Sequence, residues 1–206
     1  MGKIIAGIIV YDEEELLPGC LESLRGQVQR IVVVDGAYEH YPHQEIQSMD
    51  LTREIAWCYG AEWIECPREG RHWAWRDEVE KRNAYLVGQE GDWYLRIDAD
   101  ERLVGNIPVL VDGQDYALST YGPNGQPGWL LSLFQHRGRM RYEGSHVAVW
   151  SAERLLKVQE AVKVDTAVCR LAHLATMRSA RRQSDDHIWE AWLQPAEHEY
   201  RREHGI

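Results

Sequence analysis

The stretch Gly-Asp-Trp-Tyr-Leu-Arg-Ile-Asp-Ala-Asp-Glu (91–101) decides how this chain is read. Residues 93–97 are aromatic and aliphatic around one Arg, bounded by polar residues, and predict a short buried strand. That strand runs into Asp98 and Asp100, two carboxylates at i and i+2 on a tight turn. Two earlier segments end in the same way. Residues 3–10 are an Ile-rich run closing on Tyr11 and Asp12, and residues 30–34 close on Asp35 and Gly36. A further short strand is predicted over 61–66.

The segments between these strands carry helical signals. Asp12 is a predicted helix cap with Glu15 completing a capping box. Leu17, Cys20, Leu21 and Leu24 follow at helical spacing, and Gly26 is the stop. A second helix is predicted over 44–59, with Ile46, Met49, Ile55 and Ala56 as its apolar positions and Gly60 as its end. A third is predicted over 75–89. Strands alternating with helices predict an α/β fold, a mostly parallel sheet with helices on both faces. Ligands of such sheets lie beyond the carboxyl ends of the strands. Three of the four strand ends present an Asp to that one rim.

After Glu101 the pattern changes. Strands are predicted over 116–121 and 129–134 around a Gly/Pro loop (122–128), with shorter ones over 140–142 and 147–150. A polar helix interrupted at Pro195 follows over 179–204. The expected organisation is a first half, 1–101, and a small mixed second lobe with a C-terminal helix, 102–206, integrated into a single domain.

The chain has 206 residues and 23.9 kDa, is 44% hydrophobic and 27% charged, and so belongs with globular rather than disordered or fibrous proteins. Its net charge of −10 disfavours a grip on duplex nucleic acid. Residues 1–133 carry 11 basic and 23 acidic side chains and residues 134–206 carry 12 and 10, so a cation suits the first part and an anion the last. No stretch approaches the ~20 apolar residues of a membrane span, and no signal-peptide pattern is present. A cytoplasmic protein is expected, with Ile188, Trp189, Trp192 and Leu193 as a surface for packing on the domain, on a second subunit or at a membrane periphery. Cys20, Cys58, Cys66 and Cys169 form no C-x-x-C pair and read as small buried residues. The 9 Trp and 10 Tyr beside a single Phe supply flat faces with polar edges, suited to stacking on sugars or bases.

Paired carboxylates on a strand-end turn can bind one hard cation and leave coordination positions open. Mg²⁺ and Mn²⁺ commonly bridge such carboxylates to phosphates. The chemistry implied is departure of a phosphate or diphosphate whose growing charge the ion neutralises.

The chain resembles the family 2 glycosyltransferases of the GT-A fold. The resemblance begins with Ile-Ile-Val-Tyr-Asp-Glu-Glu (8–14), Cys-Leu-Glu-Ser-Leu (20–24) and Val-Val-Val-Asp-Gly (32–36). It continues through Tyr-Gly-Ala (59–61), Lys-Arg-Asn-Ala (81–84) and the stretch 91–101. It reaches Leu-Phe-Gln-His (133–136) and Tyr-Glu-Gly-Ser-His (142–146), covering about residues 3 to 175. What it implies is a donor site for a nucleoside diphosphate sugar, most simply a UDP-sugar. Tyr11 and Asp12 would meet the nucleotide, Asp35 the base, and Asp98 the ribose or a metal-bound water. Asp100 would ligate Mn²⁺ or Mg²⁺ directly, with His173, or His146 in competition with it, as the further ligand from the second lobe. Arg71, Arg82, Arg178, Arg181 and Arg182 are candidate diphosphate partners. The activity implied is transfer of the sugar, with inversion, to an acceptor hydroxyl on a glycan, a lipid-linked glycan, a protein or a modified nucleotide.

The chain departs from the resembled pattern at Val147, where a Glu commonly follows the His and serves as base. Glu143, His146 and Asp165 are the remaining candidate bases. Loop 122–128 and Trp129 are candidate flanks of an acceptor cleft, Trp73 and Trp75 candidate stacking faces, and segments 67–75 and 122–128 candidate lids. A nucleotidyltransferase is disfavoured because Tyr-Asp-Glu-Glu-Glu (11–15) replaces a Gly-rich loop, and the absence of G-x-G-x-x-G disfavours a dinucleotide oxidoreductase. The competing class is a non-catalytic nucleotide-sugar or carbohydrate-binding protein of the same fold.

Overall fold

A computed structural model describes residues 2–39, 45–67, 74–121, 127–174 and 200–204. In chain order the elements are β1 (Ile4–Val10), α1 (Leu17–Ser23), β2 (Arg30–Asp35), α2 (Thr52–Cys58), β3 (Glu62–Ile64), α3 (Glu78–Ala84), β4 (Trp93–Arg96) and β5 (Glu101–Gly105). They continue with β6 (Tyr116–Tyr121), β7 (Pro127–Gln135), β8 (Met140–Tyr142), β9 (Val149–Ser151), β10 (Arg154–Leu156), β11 (Val162–Lys163) and β12 (Cys169–His173).

Among the described residues, nine strands form one mixed sheet in the order β3-β2-β1-β4-β7-β6-β12-β5, with β11 beside β6. The strands β3, β2, β1 and β4 are mutually parallel, and β7 joins β4 antiparallel. The sheet therefore runs unbroken across the change of pattern at Glu101. Strands β10, β9 and β8 make a separate small antiparallel sheet.

Both faces of the parallel part are covered, which is why its strands read as continuous apolar runs. Ile4, Ala6, Ile8 and Val10 pack with Leu17, Cys20, Leu21 and Leu24 of α1 and Ala56 of α2. The alternate residue Ile5 points the other way, with Val32, Val34, Tyr85 and Tyr94, and Tyr142 and Val149 of the small sheet join that layer. The α/β fold expected from the sequence is the fold observed.

Gly7 sits on that second face, where a Cβ would lie 2.4 Å from the Tyr85 ring. Gly7→Ala should therefore lower stability by about 1–3 kcal/mol through overpacking. The midpoint of urea unfolding measures this. An unchanged midpoint would mean that the buried Tyr85 ring yields without penalty.

The structure corrects several local expectations. Asp12 does not cap α1, whose N-cap is Leu16 with no side-chain bond. It adopts a positive φ of 52° and accepts a hydrogen bond from the Met49 N–H instead. The helix expected over 44–59 begins only at Thr52. The backbone of 45–51 is engaged elsewhere: Ser48 N–H donates to Asp35, Leu51 N–H to Glu14, and the Glu45 and Ile46 carbonyls accept from Tyr11 Oη–H and Ala37 N–H. These long-range partners outcompete the helical ladder. Helix α3 is likewise confined to Glu78–Ala84, capped by the Asp77 side chain. Cys58 is exposed, unlike the three buried cysteines. Trp75 is buried in the core beneath the rim and offers no stacking face.

Candidate functional site

The rim at the carboxyl ends of β1, β2 and β4 is closed by the second half of the chain. β12 runs antiparallel to β5 with His173 opposite Glu101. Leu174 N–H donates to the Asp100 carbonyl at 2.7 Å. This backbone pairing brings the His173 side chain to Asp100, and Nε2 meets Oδ2 at 2.7 Å. The Asp100 carboxylate is buried and the imidazole half exposed. The hydrogen bond with Asp100 raises the His173 pKa, against the smaller opposing effect of burial.

Asp98 has a different environment. Arg82 Nη2 donates to its Oδ1 at 2.7 Å and Arg96 Nη2 to its Oδ2 at 3.0 Å. Burial opposes ionisation of Asp98, but the two guanidinium groups overcome it and hold the carboxyl well below the usual range. Arg82 also donates from Nε to Glu78 at 2.8 Å. Of the three expected metal ligands, then, Asp100 and His173 meet, while Asp98 is committed to two arginines. Among the described residues no three His, Cys, Asp or Glu side chains form a group able to hold a metal ion. A carboxylate oxygen and an imidazole nitrogen remain a fitting pair of donors for Mn²⁺, with further positions left for phosphate oxygens and water. Arg82 binds Asp98 directly, so its position is that of a structural partner of the acidic turn.

Glu101 was not singled out from the sequence. It is buried and accepts a hydrogen bond from Asp98 N–H at 2.9 Å. Burial, reinforced by the negative charge of Asp98, pushes its carboxyl up to about 7. Between the ordinary Glu value and about 7 the folded protein keeps a proton that the unfolded chain releases. Stability therefore falls as pH rises through that window and levels off above it. In metal-free buffer, Glu101→Gln, which mimics the protonated acid, should be near neutral at pH 5 and stabilising by about 1–3 kcal/mol at pH 8. Denaturant unfolding at the two pH values gives the comparison, and equal effects at both would contradict it.

At the β1 and β2 ends the expected nucleotide contacts are tied to one another. Asp35 is buried and accepts from Ser48 Oγ at 2.6 Å and Ser48 N–H at 3.0 Å. Burial raises its carboxyl above the usual value, with Lys81 and Ser48 opposing. Ser48 Oγ in turn accepts from Asp12 N–H at 2.8 Å. Tyr11 packs with Ala37 and Tyr38 in a small apolar cluster of its own. Arg71, Trp73, Arg178, Arg181, Arg182, the Trp-rich C-terminal segment and most of both candidate lids lie outside the described residues.

The three candidate bases separate. Asp165 caps an exposed turn, accepting from Ala167 N–H at 2.9 Å. That turn precedes the end of β12 that pairs with Gly105, opposite the end carrying His173. Asp165 is thus remote from the acidic turn. Glu143 is exposed and bound to Arg141 at 2.6 Å. His146 stands beside the site, with Nδ1 3.9 Å from Glu78 Oε2. Sequence reading missed Glu78, Arg96, Ser48 and Lys81. Arg96 carried a local signal, a charge inside a strand otherwise apolar, and Lys81 opens the stretch 81–84 that carries part of the resemblance.

Four parallel strands in the order β3-β2-β1-β4, an antiparallel neighbour beside β4, and an acidic turn after β4 define an α/β fold whose candidate site lies at the carboxyl ends of the parallel strands. No protein-family model matches the chain. A TPR repeat-containing protein of Synechococcus elongatus is 35% identical over 105 residues, 50% of this chain and 22% of that protein. Among solved structures, S. aureus TarS aligns at 14% identity over 93% of this chain and 43% of that one, with a TM-score of 0.49. Glucosyl-3-phosphoglycerate synthase from Mycobacterium tuberculosis, in complex with Mn²⁺, UDP and phosphoglyceric acid, aligns at 20% identity over 60% and 45%, with a TM-score of 0.39. The chain thus spans less than half the length of these similar proteins. No helix among the described residues is long and apolar enough to cross a membrane.

Proposed function

We propose that the chain is the donor-binding and catalytic part of a metal-dependent glycosyltransferase that moves a sugar from a nucleoside diphosphate sugar, most simply a UDP-sugar, to an acceptor hydroxyl. The observation that carries this reading is the meeting of Asp100 and His173 at 2.7 Å on the carboxyl rim of the sheet. Two elements far apart in sequence converge there on a carboxylate and an imidazole, a donor pair that suits Mn²⁺ better than Mg²⁺. When bound, the ion supplies neutralisation of the departing diphosphate's charge.

The chain's own residues have separable roles. Asp100 and His173 would hold the ion. Asp98, kept ionised by Arg82 and Arg96, presents a fixed carboxylate to the donor's ribose hydroxyls. Tyr11, Tyr38 and the Asp35–Ser48 pair form the nucleoside side of the crevice. His146, beside Glu78, is the base that takes the acceptor proton as the acceptor oxygen attacks the anomeric carbon from the face opposite the diphosphate. That course inverts the anomeric centre and uses His146 in place of the carboxylate missing at Val147.

Calorimetric titration with UDP, GDP and TDP, with and without Mn²⁺, tests the reading. Binding of one of them that requires Mn²⁺ is the expected result. Absence of metal-dependent binding for all three would overturn it and leave a non-catalytic carbohydrate-binding protein, the reading favoured by Val147.

A further inference from the structure

We propose that Lys81, assisted by Trp75, is a positioning residue for the nucleoside end of the donor site. This inference rests on the nucleotide-sugar reading above and deepens it.

Lys81 is buried on α3, and its Nζ donates to the Val10 carbonyl at 2.6 Å and the Gly36 carbonyl at 2.5 Å. It therefore ties together the carboxyl ends of β1 and β2. The same ammonium lies 5.1 Å from the centroid of the Tyr38 ring. Trp75 Nε1–H donates to the Asp35 carbonyl at 2.6 Å. Two successive carbonyls at the end of β2 thus each receive a side chain, one from Trp75 just before α3 and one from Lys81 within it. Between them Gly36 holds a φ of +123°, where other residues are strained, and the Trp75 indole nitrogen stands 3.0 Å from where a Cβ would be.

Filling space does not require this arrangement. Burying an ammonium costs desolvation, which its two carbonyl partners and the nearby Asp35 carboxylate offset. The ammonium supplies a fixed backbone geometry at the point where parallel strands part and ligands of α/β sheets lie. Holding the Tyr11, Ala37 and Tyr38 cluster in one conformation lowers the ordering cost of binding a nucleoside there. The Asp100–His173 pair sits on other elements, the turn between β4 and β5 and the end of β12. Loss of Lys81 should accordingly weaken the nucleoside contribution and spare the metal-diphosphate contribution.

The test is calorimetry on the full chain with two probes. One is the best bound of UDP, GDP and TDP with Mn²⁺, and the other is inorganic pyrophosphate with Mn²⁺. Lys81→Met and Trp75→Phe should each weaken the nucleotide by about tenfold or more. Both should leave pyrophosphate within about twofold of wild type. Parallel loss of both probes, or unchanged nucleotide affinity, would overturn the proposal. Trp75→Phe keeps the buried ring and deletes one hydrogen bond, so it decides the matter if Lys81→Met does not fold. A wild type that binds pyrophosphate with Mn²⁺ but no nucleotide also overturns the proposal while sparing the metal site. A wild type that binds neither overturns the glycosyltransferase reading itself.

Discussion

Asp100→Ala is expected to abolish the Mn²⁺-dependent part of nucleoside diphosphate binding. Asp100 contributes its side chain to the site and its backbone to the frame, and the two roles separate. The Asp100 carbonyl accepts from Leu174 N–H, and Glu101 pairs with His173 across β5 and β12. Neither interaction needs the carboxylate. The variant should therefore keep the fold and leave His173 in register, with one donor of the pair removed. Loss of a residue that merely supports a metal ligand lowers metal affinity about 10–100-fold, so loss of a ligand should exceed about 100-fold. Titration of the best bound nucleotide with and without Mn²⁺, on wild type and variant, measures the loss. Retention of Mn²⁺-dependent binding in Asp100→Ala would remove Asp100 from the proposed metal site.

Arg82→Ala should produce the largest loss of stability among substitutions near the site. Arg82 is fully buried and bridges Asp98 and Glu78, at 2.7 Å and 2.6 Å. Removing it leaves Glu78 without that partner and Asp98 with Arg96 alone. Breaking a buried ion pair by deleting one member costs about 3–5 kcal/mol, because an uncompensated charge stays behind. For a chain of this size that corresponds to a fall of roughly 10 °C in Tm. Arg82→Lys restores charge but not the fork that reaches both carboxylates, so it should recover only part of the loss. Arg82 Nη1 and two nitrogens of Arg96 are buried with no hydrogen-bond partner among the described residues. Thermal unfolding of both variants gives the comparison, and a loss below about 1 kcal/mol would show that Arg96 alone suffices to neutralise Asp98.

The strands were legible because their signal is local. A run such as Ile4–Val10, buried on both faces, is apolar throughout, and the polar residue that ends it marks the rim. The acidic turn at 98–100 and its place after a strand could be read from eleven consecutive residues (91–101). Helix α1 was legible for the same reason, although its cap was not. Asp12 looks like a cap in sequence, yet Met49, 37 residues away, donates to its carboxylate. The segment 45–51 has helical spacing, yet Asp35, Asp12 and Glu14 take its N–H groups. Local propensity loses in both places to partners that no window of sequence contains.

By itself, the sequence determined the alternating α/β architecture and the row of acids at the strand ends, because burial periodicity and strand termination are written in neighbouring residues. Only the tertiary structure decided what each acid does. It gave Asp98 to Arg82 and Arg96, Asp35 to Ser48, and Asp100 to His173, and it carried Asp165 to the far end of β12. The reason is physical. A carboxylate's role is set by the charges and donors within a few ångströms, and in a sheet with crossovers those neighbours come from distant parts of the chain.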